Sequence, residues 1–301
     1  MRPPVFREGK NGVRIWRVES DHAEERPDQL AVEEPLEIRL VQGERRQTVA
    51  VTMRTPGADG ELAVGFLFAE GVIDRPERVL RVAPCVDPDE SANCSNIIEV
   101  ELSADGPEPD LAPLERHFFA TSACGVCGKA GIEKLQLRAT GPLPPGPEIS
   151  PEVIAALPAR LREAQGIFDA TGGLHASALF DAQGNLLAAR EDVGRHNALD
   201  KLLGRAFLDG RVPLHDHLVM VSGRSSYEIL QKCMVAGVPV VCAVSAPSSL
   251  AVEVAERFGM TLIGFLRGDR FNVYTGVERI ALAEPALKEK RGRNRSLLPT
   301  V

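Results

Sequence analysis

The sequence has no run of about 18 consecutive apolar residues, so we expect no membrane-spanning helix. Its first residues, MRPPVFREGKNGVRIW, are charged and contain proline, and they lack the apolar core of a secretory signal peptide. Neither a G-x-G-x-x-G turn nor a Walker A loop occurs, which argues against a dinucleotide dehydrogenase or an ATPase. We therefore expect a soluble, cytoplasmic protein of another class.

The chain has fewer basic than acidic side chains. Its 35 Lys and Arg against 42 Asp and Glu give a formal net charge of −7. This excess of acid does not favour nucleic-acid binding, and an anionic ligand would have to be held by local arginines and backbone N–H groups. A proline- and glycine-rich stretch at 140–152 suggests a boundary. We predict a β-rich α+β region over 1–145, an α/β region over 146–285 and a basic, flexible tail over 286–301.

Periodicity predicts the fold class of the larger region. The strand-like runs HLVMVSG, VPVVCAVS and MTLIGFLR alternate with the helical patterns SYEILQKCMVAG and SSLAVEVAERFG. A predicted hairpin, LHASALFD and NLLAAREDV, and a predicted helix, RHNALDKLLGRAFL, precede them. Together they predict a three-layer α/β core with right-handed crossovers. In the smaller region we predict a hairpin around Gly43, a short buried helix at 59–73 and a strand in IIEVEL.

Of the six cysteines, only Cys124 and Cys127 have motif spacing. Cys233 and Cys242 lie in apolar runs and are expected in the core. Zinc sites, redox pairs and sulfur carriers all use C-x-x-C, but no second C-x-x-C or paired histidine motif completes a zinc site. Cys85 and Cys94 flank a polar loop without the usual zinc spacing. A helix from Gly128 and the adjacent Lys129 would favour a thiolate at the C-x-x-C turn, which indicates a nucleophilic thiol.

Two strand-to-helix turns carry serines suited to a phosphate. GRSSYEIL offers Arg224 and Ser225, and SAPSSLAVE offers Ser248 and Ser249, each before a helix N-terminus. Either turn alone could be an ordinary helix cap. A third turn, GFLRGDRFNVYTG, places charged side chains at the end of the last core strand. Neighbouring strand ends of this kind favour a nucleotide or phosphate site in the crevice.

Histidine and acidic residues form a further candidate group: His175, Glu191, Asp192, Arg195, His196 and Asp200. His196 begins a helix, where it could cap the helix or pair with Asp192. The segment His175-Ala-Ser177 is similar to the H-x-E of zinc deaminases, but serine replaces the glutamate that must shuttle protons. We expect no working deaminase.

Several motifs in order resemble the formate dehydrogenase accessory sulfurtransferase family, FdhD. They are LAVGFLFAEGVI, TSACGVCGKAGIEKL, DVGRHNALDKLLG, SGRSSYEILQKCMVAGVPVVCAVSAPSSLAVEVAE and GFLRGDRFNVYTG. The resemblance implies a cytoplasmic homodimer that accepts persulfide sulfur from a cysteine desulfurase. It implies transfer of that sulfur to the bis(molybdopterin guanine dinucleotide) cofactor of molybdenum or tungsten, before the cofactor enters formate dehydrogenase.

The resemblance also assigns residues. Cys124 is implied as the persulfide cysteine, with Cys127 as a companion thiol that could lower its pKa, help to reduce the persulfide or accept the sulfur. The implied cofactor-binding segment is Phe265, Leu266, Arg267, Gly268, Asp269 and Arg270, to which our own interpretation adds Arg224 and Ser225. A cytidine-deaminase-like fold without a catalytic metal is implied for the C-terminal region. The alternatives are a cofactor chaperone without persulfide chemistry, a zinc-binding deaminase-like protein and a dithiol oxidoreductase.

Overall fold

The computed structural model describes residues 9–86, 94–111 and 141–282. The elements up to residue 111 are β1 (Lys10–Glu19), β2 (His22–Ala31), β3 (Glu34–Gln42), β4 (Arg45–Arg54), α1 (Asp59–Ala69), β5 (Val79–Pro84) and β6 (Ile97–Leu102). Those after residue 141 are α2 (Pro151–Glu163), α3 (Gly166–Thr171), β7 (His175–Asp181), β8 (Leu186–Asp192), α4 (Arg195–Leu208), β9 (His217–Val221), α5 (Tyr227–Val235), β10 (Val240–Ala243), α6 (Ser249–Arg257), β11 (Thr261–Arg267) and β12 (Arg270–Thr275). Both regions combine helices and strands, which confirms the predicted α/β class.

A six-stranded sheet forms the centre of the larger region, in the order β12-β11-β10-β9-β7-β8. Strands β9, β10 and β11 are parallel, and α5 and α6 connect them. Alternate residues of these apolar strands face opposite sides of the sheet. One side packs against α2 through Ile154 and Leu157, and the other against α4, α5 and α6. The helix–sheet–helix layering agrees with the sequence pattern, and the likeness to cytidine deaminases stays a prediction.

A four-stranded sheet forms the smaller region, in the order β4-β3-β6-β5. The turn of the predicted hairpin lies at Gly43, whose φ of 58° is the left-handed conformation that glycine adopts without strain. Strand β3 also pairs in parallel with β6, the predicted IIEVEL strand. Buried residues of β3 and β6 share one hydrophobic cluster with α1 and the larger region's helices. The predicted domain boundary at residue 145 stays a prediction.

Helices α1 and α4 cross with their backbones in contact. A Cβ atom on Gly65 of α1 would lie 2.8 Å from the Gly204 nitrogen, and one on Gly204 of α4 would lie 2.7 Å from the Gly65 nitrogen. Real Cβ atoms do not approach backbone atoms so closely, so each position accepts only glycine without movement of a helix. The crossing brings the two sheets onto the shared core.

Buried polar contacts hold the end of β4 against β8 and α4. The Lys201 ammonium lies 2.6 Å from an Asp192 carboxylate oxygen and donates to the Thr55 carbonyl at 2.8 Å. Asp192 also accepts from the Thr55 N–H at 3.1 Å. Asn197 donates to the Met53 carbonyl at 2.7 Å. Asp192, a candidate functional residue in the sequence, therefore has a structural role here, and each buried charge has a partner.

Strands β1 and β2 form a separate two-stranded hairpin that the sequence patterns do not predict. Charged and apolar residues occur on both of its faces, so the usual alternation is absent. Trp16 and Val18 are 69% and 64% exposed. The short helix α3 contacts the hairpin near its base. Two strands alone are marginally stable in water, so α3 and the chain entering β3 anchor this element.

No helix within residues 9–86, 94–111 and 141–282 combines the length and the hydrophobicity needed to cross a membrane.

Candidate functional site

Each strand of the six-stranded sheet begins or ends at one common edge. Strands β9, β10 and β11 end there, and because β7 runs antiparallel to β9 and β8, β7 begins there and β8 ends there. Helices α4, α5 and α6 therefore all begin at this edge. The positive ends of their dipoles and their first N–H groups face the same side of the molecule, an arrangement that suits anionic ligands.

The turn from β9 into α5 holds Arg224 and Ser225. The Arg224 side chain is exposed, whereas Ser225 is fully buried and its hydroxyl has no hydrogen-bond partner among the described residues. Ser226 is the N-cap residue of α5, but its hydroxyl does not cap the helix and lies 3.4 Å from His196 Nε2. This turn thus departs from the ordinary serine cap.

The turn from β10 into α6 shows the ordinary arrangement instead. Ser248 accepts a hydrogen bond from the Ala251 N–H at 3.2 Å, as a helix N-cap does. Its own N–H donates to the Ser225 carbonyl at 3.0 Å, and Ser225 also forms a β-bridge with Pro247. The two serine turns therefore contact one another, and the first holds a buried hydroxyl, that of Ser225, without a hydrogen-bond partner among the described residues.

The turn between β11 and β12 joins the same edge. The Phe265 N–H donates to the Ser245 carbonyl at 3.2 Å, beside the start of α6. Phe265 has a φ of 52° and is 39% exposed, a strained conformation for a bulky residue that favours a functional role. Arg267, Asp269 and Arg270 are exposed, whereas Leu266 is fully buried and anchors the turn in the core. The predicted cofactor-binding residues thus share one edge.

The cysteines divide by their surroundings. Cys124 and Cys127 lie outside the described residues. Burial raises the pKa of Cys233, and it raises the pKa of Cys242 to about 12, so both are inert thiols at neutral pH. Cys85 is buried and Cys94 begins a short 3₁₀ helix, Cys94–Asn96. Over the described ranges, no group of three or more His, Cys, Asp or Glu side chains could hold a metal ion.

Two histidines lie beside these turns. The His196 ring donates to Glu228 of α5 at 2.8 Å, and this bond lowers the pKa of the Glu228 carboxyl. The suggested pairing of His196 with Asp192 is wrong, because Lys201 binds Asp192 instead. No sequence pattern predicts the His196–Glu228 contact, since it depends on how α4 and α5 are placed. Burial, together with the Arg195 and His196 charges, lowers the pKa of His175.

The depressed pKa of His175 predicts a loss of stability in acid. The unfolded histidine takes up a proton below a pH of about 6.5, and the folded one resists it. The contribution of neutral His175 to the free energy of unfolding is therefore fully present above that pH. It falls as the pH drops towards the lower pKa of the folded state. Urea unfolding between neutral and mildly acidic pH should show this loss, and His175→Gln should reduce it.

A matched control is His22→Gln in the exposed strand β2, which should keep the wild-type pH dependence. Part of the loss will remain in His175→Gln, because burial also lowers the pKa of His217. An unchanged pH dependence in His175→Gln would show that His175 is not held neutral.

Comparison with known proteins identifies the family. The model of the FdhD/NarQ family matches residues 31–281. The chain belongs to the FdhD/NarQ family. A relative from Streptomyces avermitilis is 47% identical over 276 residues, covering 91% of this chain and 96% of the relative. A relative from Mycobacterium tuberculosis is 48% identical over 272 residues, covering 89% and 97%. Both are named sulfur carrier protein FdhD, so the resemblance seen in the sequence is confirmed.

The fold of the FdhD/NarQ chain is also that of a solved structure. A crystal structure assigned as a formate dehydrogenase accessory protein from Desulfotalea psychrophila superposes with a TM-score of 0.68. It covers 91% of this chain and 100% of its own, at 24% sequence identity, so the likeness concerns the fold. The FdhD/NarQ family model begins at residue 31, and strands β1 and β2 therefore lie almost wholly before it.

Proposed function

We propose that this protein is a cytoplasmic, homodimeric sulfur carrier for a formate dehydrogenase. In this proposal Cys124 accepts persulfide sulfur from a cysteine desulfurase and passes it to the molybdenum or tungsten bis(molybdopterin guanine dinucleotide) cofactor. Curated relatives named sulfur carrier protein FdhD support the assignment. The observation that carries it is the sheet edge at which Arg224, Ser225 and the turn at 265–270 meet.

The residues of that edge fit a phosphorylated, aromatic substrate. Arg224, Arg267 and Arg270 are exposed guanidinium groups, which bind phosphate oxygens through paired N–H donors. The buried Ser225 hydroxyl lacks a partner within the described part of the chain. The exposed Phe265 ring offers a flat face on which a guanine base can stack. Because the chain has a net charge of −7, binding of an anion depends on these local groups rather than on the electrostatic field of the whole protein.

The loading step balances as a thiol exchange. The Cys124 thiolate attacks the outer sulfur of the donor's persulfide, the donor's S–S bond breaks, and the donor cysteine leaves as a thiolate. One neutral sulfur atom moves, and no net electrons are transferred. Release as hydrosulfide takes two electrons, which Cys127 supplies if its thiolate attacks the inner sulfur and closes a Cys124–Cys127 disulfide. If Cys127 has that role, the Cys127→Ala variant should still accept sulfur on Cys124 but should not release hydrosulfide.

Persulfide trapping tests the proposal. We expect the protein, incubated with a cysteine desulfurase and cysteine, to gain about 32 Da, the mass of one sulfur atom, and to lose it with dithiothreitol. Cys124→Ala should abolish the gain, whereas Cys233→Ala, the matched control in the core, should keep it. Intact-protein mass spectrometry measures both.

A mass gain that persists in Cys124→Ala would reject Cys124 as the carrier. Absence of any gain in a protein that still binds guanosine diphosphate would favour the cofactor chaperone instead. A reversible Cys124–Cys127 disulfide with insulin-reducing activity and no adduct would favour the dithiol oxidoreductase. Stoichiometric zinc that Cys124→Ser removes would favour the zinc-binding alternative.

A further inference from the structure

Two acid–base pairs connect helix α4 to helix α5. In the outer pair, at the sheet edge, the His196 ring of α4 lies 2.8 Å from a Glu228 carboxylate oxygen of α5. In the inner pair, one helical turn deeper, the Lys232 ammonium of α5 lies 2.8 and 3.0 Å from the two carboxylate oxygens of Asp200 on α4. Residues four positions apart share one face of a helix, so both pairs belong to one helix–helix interface.

The order of acid and base alternates between the two pairs. In the outer pair α4 carries the base and α5 the acid, whereas in the inner pair α4 carries the acid and α5 the base. A slip of one helix by one turn would place His196 against Lys232, or Asp200 against Glu228. Because contacts between like charges are unfavourable, the two pairs together fix the register of α4 and α5.

The inner pair is buried, whereas the outer pair is partly exposed. The side chains of Asp200 and Lys232 are 4% and 8% exposed, and the Lys232 ammonium also lies 3.9 Å from Glu70 at the end of α1. The side chains of His196 and Glu228 are 31% and 37% exposed. Histidine is the side chain whose charge changes within the physiological pH range. The outer pair therefore exchanges protons with solvent, while the inner pair is held in the core.

The outer pair also joins the first turns of the two helices. Gly194, the N-cap residue of α4, has no side chain. The Ser226 hydroxyl of α5 does not cap its own helix and lies 3.4 Å from His196 Nε2 instead. Helices α2 and α6, by contrast, have serine caps. Without N-cap side chains, the first turns of α4 and α5 depend more on the contact between His196 and Glu228.

The charges around the outer pair keep its acid ionised. The hydrogen bond from His196 lowers the pKa of the Glu228 carboxyl, which therefore remains an anionic acceptor at neutral pH. The other titratable or charged groups that face this pair come from α1, α4, α5 and β7: Glu70, Arg195, Asp200, Lys232 and His175. Burial and the neighbouring positive charges lower the pKa of His175, so this second histidine resists protonation.

We propose that the contact between His196 and Glu228 is a proton-operated latch on the candidate site. With a proton on His196, an ion pair holds the first turns of α4 and α5 together. When His196 loses that proton, a weaker neutral hydrogen bond remains and the first turns open more often. The Asp200–Lys232 pair keeps the two helices in register in both states. The effect of the latch on a ligand rests on the proposed function, whereas the latch itself does not.

Hydrogen exchange followed by NMR on the full-length protein tests the latch. The Ala198 and Leu230 N–H groups donate to the Gly194 and Ser226 carbonyls at 2.9 and 3.2 Å, so their exchange reports opening of the two first turns. The protection factor is the ratio of the intrinsic to the observed exchange rate. We expect it to fall about fivefold from about pH 6 to about pH 8, as an ion pair becomes a neutral hydrogen bond.

Four variants separate the latch from other causes. His196→Gln and Glu228→Gln, which cannot form the ion pair, should show the low protection at both pH values. His196→Lys keeps a permanent charge and should retain the high protection at the higher pH. His22→Gln, the matched control on the exposed strand β2, should keep the wild-type pH dependence. Amides of the core strand β9 report global unfolding and serve as the internal reference in every variant.

Protection at Ala198 and Leu230 that does not change with pH in the wild type would overturn the latch. An unchanged pH dependence in His196→Gln would overturn it as well. His175→Gln should keep the dependence, and its loss in that variant alone would assign the effect to His175 and not to His196. If His196→Gln lowers the protection of β9 too, the comparison of His196→Lys with His196→Gln still decides, because both replace the ring and only one keeps a charge.

Guanosine diphosphate distinguishes the latch from a direct attraction between the ligand and a protonated His196. Calorimetric titration should show tighter binding at the lower pH in the wild type, and both His196→Gln and Glu228→Gln should reduce that difference. A difference that persists in Glu228→Gln and is lost in His196→Gln would show direct attraction and would overturn the latch.

The sulfur adduct on Cys124 is measured separately from the latch. An adduct on a protein whose protection does not depend on pH would refute the latch alone. Protection that depends on pH as expected, in a protein that gains no adduct, would refute the proposed sulfur carrier function alone.

Discussion

Gly65→Ala is expected to destabilise the protein by about 3–5 kcal/mol, towards the upper end of the effects of single substitutions. The added methyl group would lie 2.7 Å from the Asp200 carbonyl carbon and 2.8 Å from the Gly204 nitrogen. Both are backbone atoms of α4, so no side chain can rotate away. Helix α1 would have to move off α4, which opens the core that the two sheets share. Urea unfolding followed by circular dichroism measures the change.

The matched control is Gly166→Ala, the same added methyl group in helix α3. No atom lies within 4 Å of a Cβ at this position, and alanine has the higher helix propensity. Gly166→Ala should therefore be neutral or slightly stabilising. A Gly65→Ala variant as stable as Gly166→Ala would show that α1 and α4 do not cross at Gly65.

Lys201→Met is expected to cost about 3–5 kcal/mol at neutral pH, because it leaves a buried carboxylate without its cation. Lys201 and Asp192 have side-chain exposures of 2% and 0%, and the Thr55 carbonyl loses its donor as well. Unfolding free energies of the variant and the wild type at neutral pH measure the loss.

Two further variants isolate the cause. Lys10→Met makes the same side-chain change at the start of the partly exposed strand β1 and should be nearly neutral. Lys201→Met/Asp192→Asn removes both charges and should be more stable than Lys201→Met alone. If the double variant is the less stable one, the ion pair is not what Lys201 contributes.

Periodicity predicts the larger region well because its elements are individually clear. The pattern RHNALDKLLGRAFL coincides with α4, and the predicted strands HLVMVSG and MTLIGFLR contain β9 and β11. Ser150 caps α2 and accepts a hydrogen bond from the Val153 N–H at 3.3 Å. The charged residues of GFLRGDRFNVYTG predict a turn after the last core strand, and the structure shows that its second half forms strand β12. The hairpin β1–β2 lacks an alternation of apolar and polar residues, so no sequence pattern predicts its strands.

The candidate site was predicted in part. Arg224, Ser225 and the turn at 265–270 follow strand ends in the sequence, and parallel strands bring such ends to one edge. The strained φ of Phe265 and the contact between His196 and Glu228 depend on how strands and helices are placed in three dimensions. A sequence pattern holds no information on either. The role of Cys124 continues to rest on its motif and on the family.

Trp16 is the chain's single tryptophan, and it lies on the exposed hairpin rather than in the core. Its emission already reports a largely aqueous environment in the folded state, so tryptophan fluorescence will respond little to unfolding of the two sheets. The same property makes it a background-free optical reporter of the hairpin. A blue shift on mixing with another protein would locate the contact at β1 and β2, without a label.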